Sequence, residues 1–185
     1  MPPTSSLGPS PWRLLVLRDY QPADFDAVIE INQSNLPEVG PMDEEKMAFF
    51  VRVSPYLKVI EVDGKVVGML IGLTESDTEY PSLNFAWFRK RLDRFAYIDR
   101  IALAAEARGQ GWGPALYQDF ESWARSIDRP AMCAEVNTLP PNPRSLRFHL
   151  LFGFEEIGRF QPYGPEAEVA MLCKPLSEPG AARGA

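Results

Sequence analysis

The chain has 185 residues, 45% of them hydrophobic and 24% charged, and 19 Lys and Arg against 25 Asp and Glu give it a net charge of −6. That length suits one domain with a real core and is short for two. The acidic balance argues against duplex nucleic acid as a partner, since its phosphates would be repelled in sum, and no apolar run approaches the length of a membrane span.

Met1 to Pro11 is rich in Pro and Ser and has neither a basic n-region nor an apolar h-region, so it predicts a disordered tail and not a signal peptide. Leu176 to Ala185, rich in Ala, Gly and Pro, predicts a second tail, leaving one domain over residues 12–175. Leu14 to Arg18 reads as a first strand. Asp24 is placed to cap a helix running to about Ser34, with Phe25, Val28, Ile29 and Ile31 on one face. Asn35 to Met42 holds two prolines and a glycine and reads as loop. Asp43 is placed to cap a second helix with Met47, Phe50 and Val51 inward. Tyr56 to Val62 and Lys65 to Leu73 are rich in β-formers and joined by Asp63-Gly64, a strong hairpin signal.

Thr74 to Asn84 is polar and carries Glu75, Asp77 and Glu79; Phe85, Trp87 and Phe88 follow at near-helical spacing. Phe95 to Leu103 predicts a central strand. Leu116, Phe120, Trp123 and Ile127 recur every three or four residues and give the next helix one buried face. Ala131 to Val136 predicts a strand, and Pro143 to Phe152 a helix with Asn142 in the capping position. Phe154 to Phe160 and Glu168 to Lys174 predict two closing strands. Cys133 and Cys173 lie in apolar, strand-like runs and read as buried reduced thiols of a cytosolic core.

Arg108-Gly109-Gln110-Gly111-Trp112-Gly113 sits between the central strand and the helix that follows it. Strand, glycine-rich turn and helix N-terminus together form an anion cradle, because the free N–H groups of a first helical turn point one way and the helix dipole adds to their pull. Pro114 fits that first turn, where a missing N–H costs little. A dinucleotide loop needs Gly-x-Gly-x-x-Gly, but the spacing here is Gly-x-Gly-x-Gly; a Walker loop needs Gly-Lys-Ser/Thr, which is absent. A flexible turn without a ligand is the bland alternative.

The loop matches Arg/Gln-x-x-Gly-x-Gly/Ala at Arg108, Gly111 and Gly113, the segment that binds the coenzyme A pyrophosphate in the GNAT superfamily of N-acetyltransferases. A second segment resembles that superfamily too. Its slots hold Asn142, Ser145, Phe148-His149 and Gly153-Phe154, one helix and one strand downstream. The chain is thus similar to GNAT proteins over about residues 12 to 175, in particular to a bacterial branch of predicted acetyltransferases with a Phe-His pair. The resemblance implies an α/β (α+β) GNAT fold: a mixed, mostly antiparallel sheet of about seven strands, about four flanking helices, and a V-shaped splay between the central strands. It also marks Thr74 to Leu92 as an insertion where acceptor specificity is expected, through Glu75, Asp77 and Glu79; a lid packed on the core by its aromatics is the alternative.

The resemblance further implies acetyl transfer from acetyl-coenzyme A to an amine, with no metal, in a cytoplasmic protein that binds neither nucleic acid nor membrane. The acceptor would be a small-molecule or peptide amine, and a homodimer is common in the superfamily. Arg108, Gly109, Gln110, Gly111, Trp112, Gly113, Asn142 and Ser145 would hold the cofactor, together with the backbone of Ile101, Ala102 and Leu103, which would also supply oxyanion donors. Arg144 or Arg147 could meet the 3′-phosphate. His149, the chain's one histidine, stands where most members carry the Tyr that protonates the thiolate, and either serves that step or is structural. Glu135 is the first choice of general base and Asp99 the second, an ion pair with Arg100 or Arg94 being the other reading of Asp99. A module that binds acetyl-coenzyme A without turnover is the competing functional class.

Overall fold

The computed structural model describes residues 15–176, so the two expected tails and Leu14 lie outside the described residues, apart from Leu176. The elements follow the order β1 (Leu15–Asp19), α1 (Phe25–Gln33), α2 (Glu44–Val53), β2 (Tyr56–Val62), β3 (Lys65–Thr74), α3 (Leu83–Arg89), β4 (Ala96–Leu103), α4 (Trp112–Ser126), β5 (Ala131–Leu139), α5 (Pro143–Leu151), β6 (Glu155–Phe160) and β7 (Glu168–Pro175). The seven strands form one sheet in the order β1-β2-β3-β4-β5-β7-β6. Every pair is antiparallel except β4–β5. This is the expected mixed sheet and splay, with five α-helices where about four were expected. Among the described residues no helix is long and apolar enough to cross a membrane.

The splay arises at the one parallel junction. β4 and β5 pair only at Ala96↔Met132 and Tyr97↔Cys133, and beyond Tyr97 the β5-facing edge of β4 has no ladder partner. A bulge contributes to the divergence. Gly72 pairs with Ile98 and Ile71 with Arg100, so Asp99 is the extra residue, and bulged strands bend and twist more strongly. The hairpin between β2 and β3 turns at Asp63 (φ 53°) and Gly64 (φ 78°), two consecutive left-handed residues that match the twist of the paired strands.

Two apolar layers sandwich the sheet. One packs Val28 of α1, Phe50 of α2 and Phe85 of α3 against Met69, Tyr97 and Met171. The other packs Leu116, Tyr117 and Phe120 of α4 against Leu70, Ile98 and Leu172. Gly72 makes room for the latter layer: a Cβ there would meet Phe120 at 2.2 Å.

Four local expectations need correction. Asp24 does not cap α1 with its side chain. Its carboxylate accepts two bonds from Arg18, at 2.7 and 2.8 Å, and one from the Gln21 N–H at 2.8 Å. A forked, charge-assisted pair outcompetes a single neutral backbone donor. Val51 is 45% exposed, because the buried stripe of α2 is narrow and centres on Met47 and Phe50. On α4 the buried positions are Leu116, Tyr117, Phe120 and Ala124, so Tyr117 and Ala124 take the place expected for Trp123 and Ile127. Leu176 is no tail residue: it is buried, and its N–H donates to Pro130 O at 2.7 Å.

Candidate active site

The inserted segment delivers side chains to the mouth of the splay. Ser82 caps α3, its Oγ accepting from Phe85 N–H at 3.2 Å. Seven residues make a marginal helix in water. Tertiary packing holds this one, since Phe85 and Phe88 are fully buried against Phe95 and Tyr97, at about 1.5–3 kcal/mol for each such ring. Trp87 lies against Gly158 of β6, where a Cβ would come within 2.9 Å of its ring. The aromatics therefore pack the insertion onto the core, the second of the two expectations for this segment.

Two of its three acids are tied into the fold, and the third stays at the surface. Glu75 accepts from Phe95 N–H at 3.1 Å and pairs with Arg129 at 2.9 Å. Asp77 accepts from Thr74 N–H and Oγ1–H at 2.6 and 3.1 Å, and Glu79 pairs at the surface with Arg52. The polar side chain that reaches the splay is Asn84 instead. Its Nδ2 donates to Glu135 Oε1 at 3.0 Å.

Glu135 lies on β5 just past the last rung of the β4–β5 ladder. Tyr97 Oη reaches both its oxygens, at 2.9 and 2.7 Å. Burial pushes the carboxyl up to about 7; the Tyr97 hydrogen bond opposes that rise, the nearby charge of Asp99 adds to it, and the Asn84 bond opposes it again. A carboxylate that exchanges its proton near neutrality has the acid–base range a general base requires.

Asp99 belongs to a neighbouring network. It accepts from Arg100 Nε at 2.7 Å and from Tyr80 Oη, while Arg100 Nη1 donates to Asn32 Oδ1 at 2.9 Å and to Gly40 O at 3.1 Å. This is the ion-pair reading of Asp99, with Arg100 as the partner. The buried guanidinium ties the bulge to α1 and the loop after it. A cavity of about 540 Å³ opens beside that loop, lined by Ile29, Gln33, Pro41, Met42, Asp43 and Lys46.

The glycine loop lies at the other end of β4. Gly109 (φ 76°) and Gly111 (φ 87°) are left-handed, which favours glycine, and Gly111 starts α4 without a side-chain cap. A Cβ added at Gly109, Gly111 or Gly113 would meet nothing within 4 Å, so bare backbone faces open space there. Arg108 is exposed and donates to Asn35 Oδ1 at 2.9 Å, placing a cation beside this backbone; Gln110 bonds back to Glu106 O at 2.6 Å. Ile101, Ala102 and Leu103 pair with Leu70, Met69 and Gly68 of β3 on one side and with nothing in β5 on the other. An open cradle, uncapped helical N–H groups and a strand edge that β5 leaves open up to Leu103, whose carbonyl accepts from Asn35 Nδ2 at 3.0 Å, fit a pyrophosphate with an extended arm.

The second segment of the resemblance, from Asn142 to Phe154, is held by its own local bonds. Asn142 Oδ1 accepts from Ser145 N–H at 3.1 Å and caps α5, as expected from its position. Arg144 and Arg147 are exposed. His149 is buried among the rings of Tyr117, Phe148 and Phe154. Its Nδ1 lies 2.8 Å from Ser145 O, which only accepts, so Nδ1 carries the proton; Nε2 then accepts from Tyr117 Oη at 2.7 Å. Burial drives the imidazole down to about 4, so at neutral pH it is uncharged with both nitrogens engaged. An imidazolium acid at this position does not fit that environment.

Truncating His149→Ala would leave the Tyr117 hydroxyl buried without its acceptor and open a gap between α4 and α5. We expect a loss of about 2–5 kcal/mol in urea unfolding. Turnover measured well below the transition then separates the two roles of this residue. A fall beyond ~10²-fold with coenzyme A affinity intact would return His149 to the chemistry.

Sequence reasoning missed Asn84, Tyr80, Tyr97 and Tyr117. Tyr117 was within reach, since Tyr117, Phe120 and Ala124 keep helical spacing. Asn84 carries no local signal at all.

A profile of the acetyltransferase (GNAT) family matches residues 25–154. Among solved structures, Ard1 from Thermoplasma volcanium superposes with a TM-score of 0.72 at 23% identity, covering 89% of this chain and 99% of that one. The ribosomal-protein-S18-alanine N-acetyltransferase from Escherichia coli follows with a TM-score of 0.71 at 17% identity, covering 93% and 100%. A chain of the NatC complex bound to Gag peptide and CoA gives 0.69 at 17% identity, covering 88% and 99%. Compared by sequence alone, no curated protein matches the chain. At these identities the likeness is one of fold; the family rests on the profile.

Proposed function

The chain belongs to the GNAT acetyltransferase family, and from that premise we propose that it moves an acetyl group onto an amine by direct attack in a ternary complex, with Glu135 as the base. Acetyl-coenzyme A supplies the acetyl group activated as a thioester. The backbone from Arg108 to Gly113 holds the pyrophosphate, and Arg108 adds charge beside it. The edge of β4 that β5 leaves open, from Ile101 towards Leu103, pairs with the pantetheine arm and offers N–H groups to the developing oxyanion.

Glu135 takes a proton from the acceptor ammonium and frees the nitrogen lone pair. The N–C bond forms as the C–S bond breaks. The second proton lost by the nitrogen balances the departing thiolate, a good leaving group that needs no imidazolium. Tyr97 holds the Glu135 carboxylate in place, and the Tyr117–His149 pair fixes α5 against α4. The observation that carries this reading is the Glu135 carboxyl, held by Tyr97 and Asn84 at the mouth of a strand splay, on the sheet that also presents the open glycine cradle. The same reading takes the acceptor to be a peptide or small-molecule amine and the protein to be cytoplasmic and free of nucleic acid and membrane, with a homodimer as its assembly.

Thiol release from acetyl-coenzyme A tests it, against a panel of an alanyl peptide, a lysine amide, spermidine and phenethylamine. Turnover with at least one of them is expected. Tight coenzyme A binding without thioester loss on any amine would favour a sensing module.

A further inference from the structure

Asn84 Oδ1 is the one buried side-chain polar atom among the described residues with no hydrogen-bond partner. Asn84 is 8% exposed, and buried polar groups are paired unless something outside the resting fold completes them. While Glu135 is ionised, as a base must be, the carboxamide cannot turn over to find a partner. Its Nδ2 faces Glu135 Oε1 at 3.0 Å, and the flipped amide would set carbonyl oxygen against carboxylate. Nor can the residue swing away easily, because the Ser82 cap on one side and the buried ring of Phe85 on the other hold the first turn of α3. Tyr97 has one hydroxyl proton to share between the Glu135 oxygens, at 2.7 Å from Oε2 and 2.9 Å from Oε1, and Asn84 Nδ2 serves Oε1, so both oxygens keep capacity for a further donor. An unused carbonyl oxygen and a carboxylate oxygen with spare capacity therefore sit side by side at the splay.

We propose that Asn84 is an acceptor-recognition residue: with Glu135 it holds the acceptor nitrogen, its Oδ1 taking an N–H that the base does not remove, so that the site selects amines over hydroxyl acceptors. The assignment rests on the reaction put forward above and deepens it. A primary ammonium brings three N–H bonds. One proton passes to Glu135, which leaves the lone pair in that direction, and one N–H points at Asn84 Oδ1; the amine keeps this second bond as it turns its lone pair from Glu135 to the thioester carbon. A hydroxyl has a single proton. The base takes it, and Asn84 Oδ1 is left unsatisfied as the C–O bond would form. Sites built around a hydrogen bond reject the analogue that lacks it far more strongly than apolar pockets reject a change of size. Selectivity for the nitrogen thus comes from the inserted helix, whereas the base comes from the sheet.

The experiment compares wild type, Asn84→Ala and Asn84→Leu, first matched for near-UV circular dichroism and melting temperature. Each is assayed with the best amine of the panel and with that acceptor's hydroxy analogue, such as a lactyl in place of an alanyl peptide. Both variants should lose ~10–10²-fold in kcat/KM for the amine, the range for one hydrogen bond near a charge, with coenzyme A affinity unchanged. Their preference for amine over hydroxyl should shrink. The acid limb of kcat/KM should move to higher pH, because a hydrogen bond that favours the Glu135 carboxylate is gone. That shift reports the lost Nδ2 bond to Glu135, whereas the smaller preference for amine over hydroxyl reports Oδ1. Unchanged kcat/KM and unchanged preference in both variants would overturn the assignment. If wild type acetylates no amine, the reaction itself fails, and Asn84 is then judged by titrating spermidine into the coenzyme A-bound proteins. Weaker binding to Asn84→Leu would support it, and equal binding would overturn it.

Discussion

Glu135→Gln should lose ~10²–10⁴-fold in kcat, the usual worth of a positioned general base, while coenzyme A affinity holds. Gln keeps the volume and can still accept from Tyr97, so the substitution removes the base and little else. In wild type the rate should fall as pH drops through about 7, where burial leaves the carboxyl half protonated, and in the variant that step should vanish. Stability provides an independent reading. The folded state keeps the proton up to about 7, but the unfolded chain releases it near 4.5. Between those values the folded state binds more protons, so this group's contribution to stability falls as pH rises through the window and is least above it. Glu135→Gln carries no such cost. It should melt higher than wild type at pH 8 and close to it at pH 4. A variant with wild-type turnover would leave the proton to water or to another group; one with lower stability at pH 8 would mean that the carboxylate is not held at a cost.

Gly111→Glu should abolish coenzyme A binding, read by calorimetry against micromolar affinity for wild type. Two effects act together at this residue. Its φ of 87° suits glycine, and a Cβ there projects into open space at the head of α4, where the cradle would receive phosphate. A carboxylate about 4 Å from a phosphate charge costs ~4 kcal/mol at an effective dielectric of ~20, or about a thousandfold in affinity. Gly111→Asn separates the two contributions, since Asn tolerates the left-handed region and adds no charge. It should retain far more affinity than Glu, and the gap between the two should narrow in high salt. Equal, undiminished binding in both variants would move the pyrophosphate away from this loop.

Much of the architecture was legible from periodicity and punctuation. Each of the seven strands was expected within one to three residues of its ends, because alternating apolar runs bounded by Gly, Pro and Asp signal strands without tertiary help. The Asp63-Gly64 turn, the Asp43 and Asn142 caps, and the strand–glycine–helix order around Gly111 are local devices, set within four or five residues of chain. The position of Glu135 on β5 was legible too. Where a local rule failed, a partner distant in sequence or a competing charge had won. Asp24 had Arg18 within reach, and Glu75 found Arg129 fifty-four residues away.

By itself, then, the sequence determined the order of elements, the glycine-rich turn at the head of α4 and the Asn142 cap of α5, because each is written in residues adjacent along the chain. Only the tertiary structure decided the surroundings that set protonation. Whether His149 is an acid depended on Tyr117, thirty-two residues distant, and on the ring cluster that keeps the imidazole neutral. Glu135 owes its titration near 7 to burial and to Tyr97, Asp99 and Asn84, each on another element. Asn84 reaches the site because Phe85 and Phe88 pack a short inserted helix against the sheet. Charge states in a folded protein are set by desolvation and by neighbours across the core, and neither can be read along the chain.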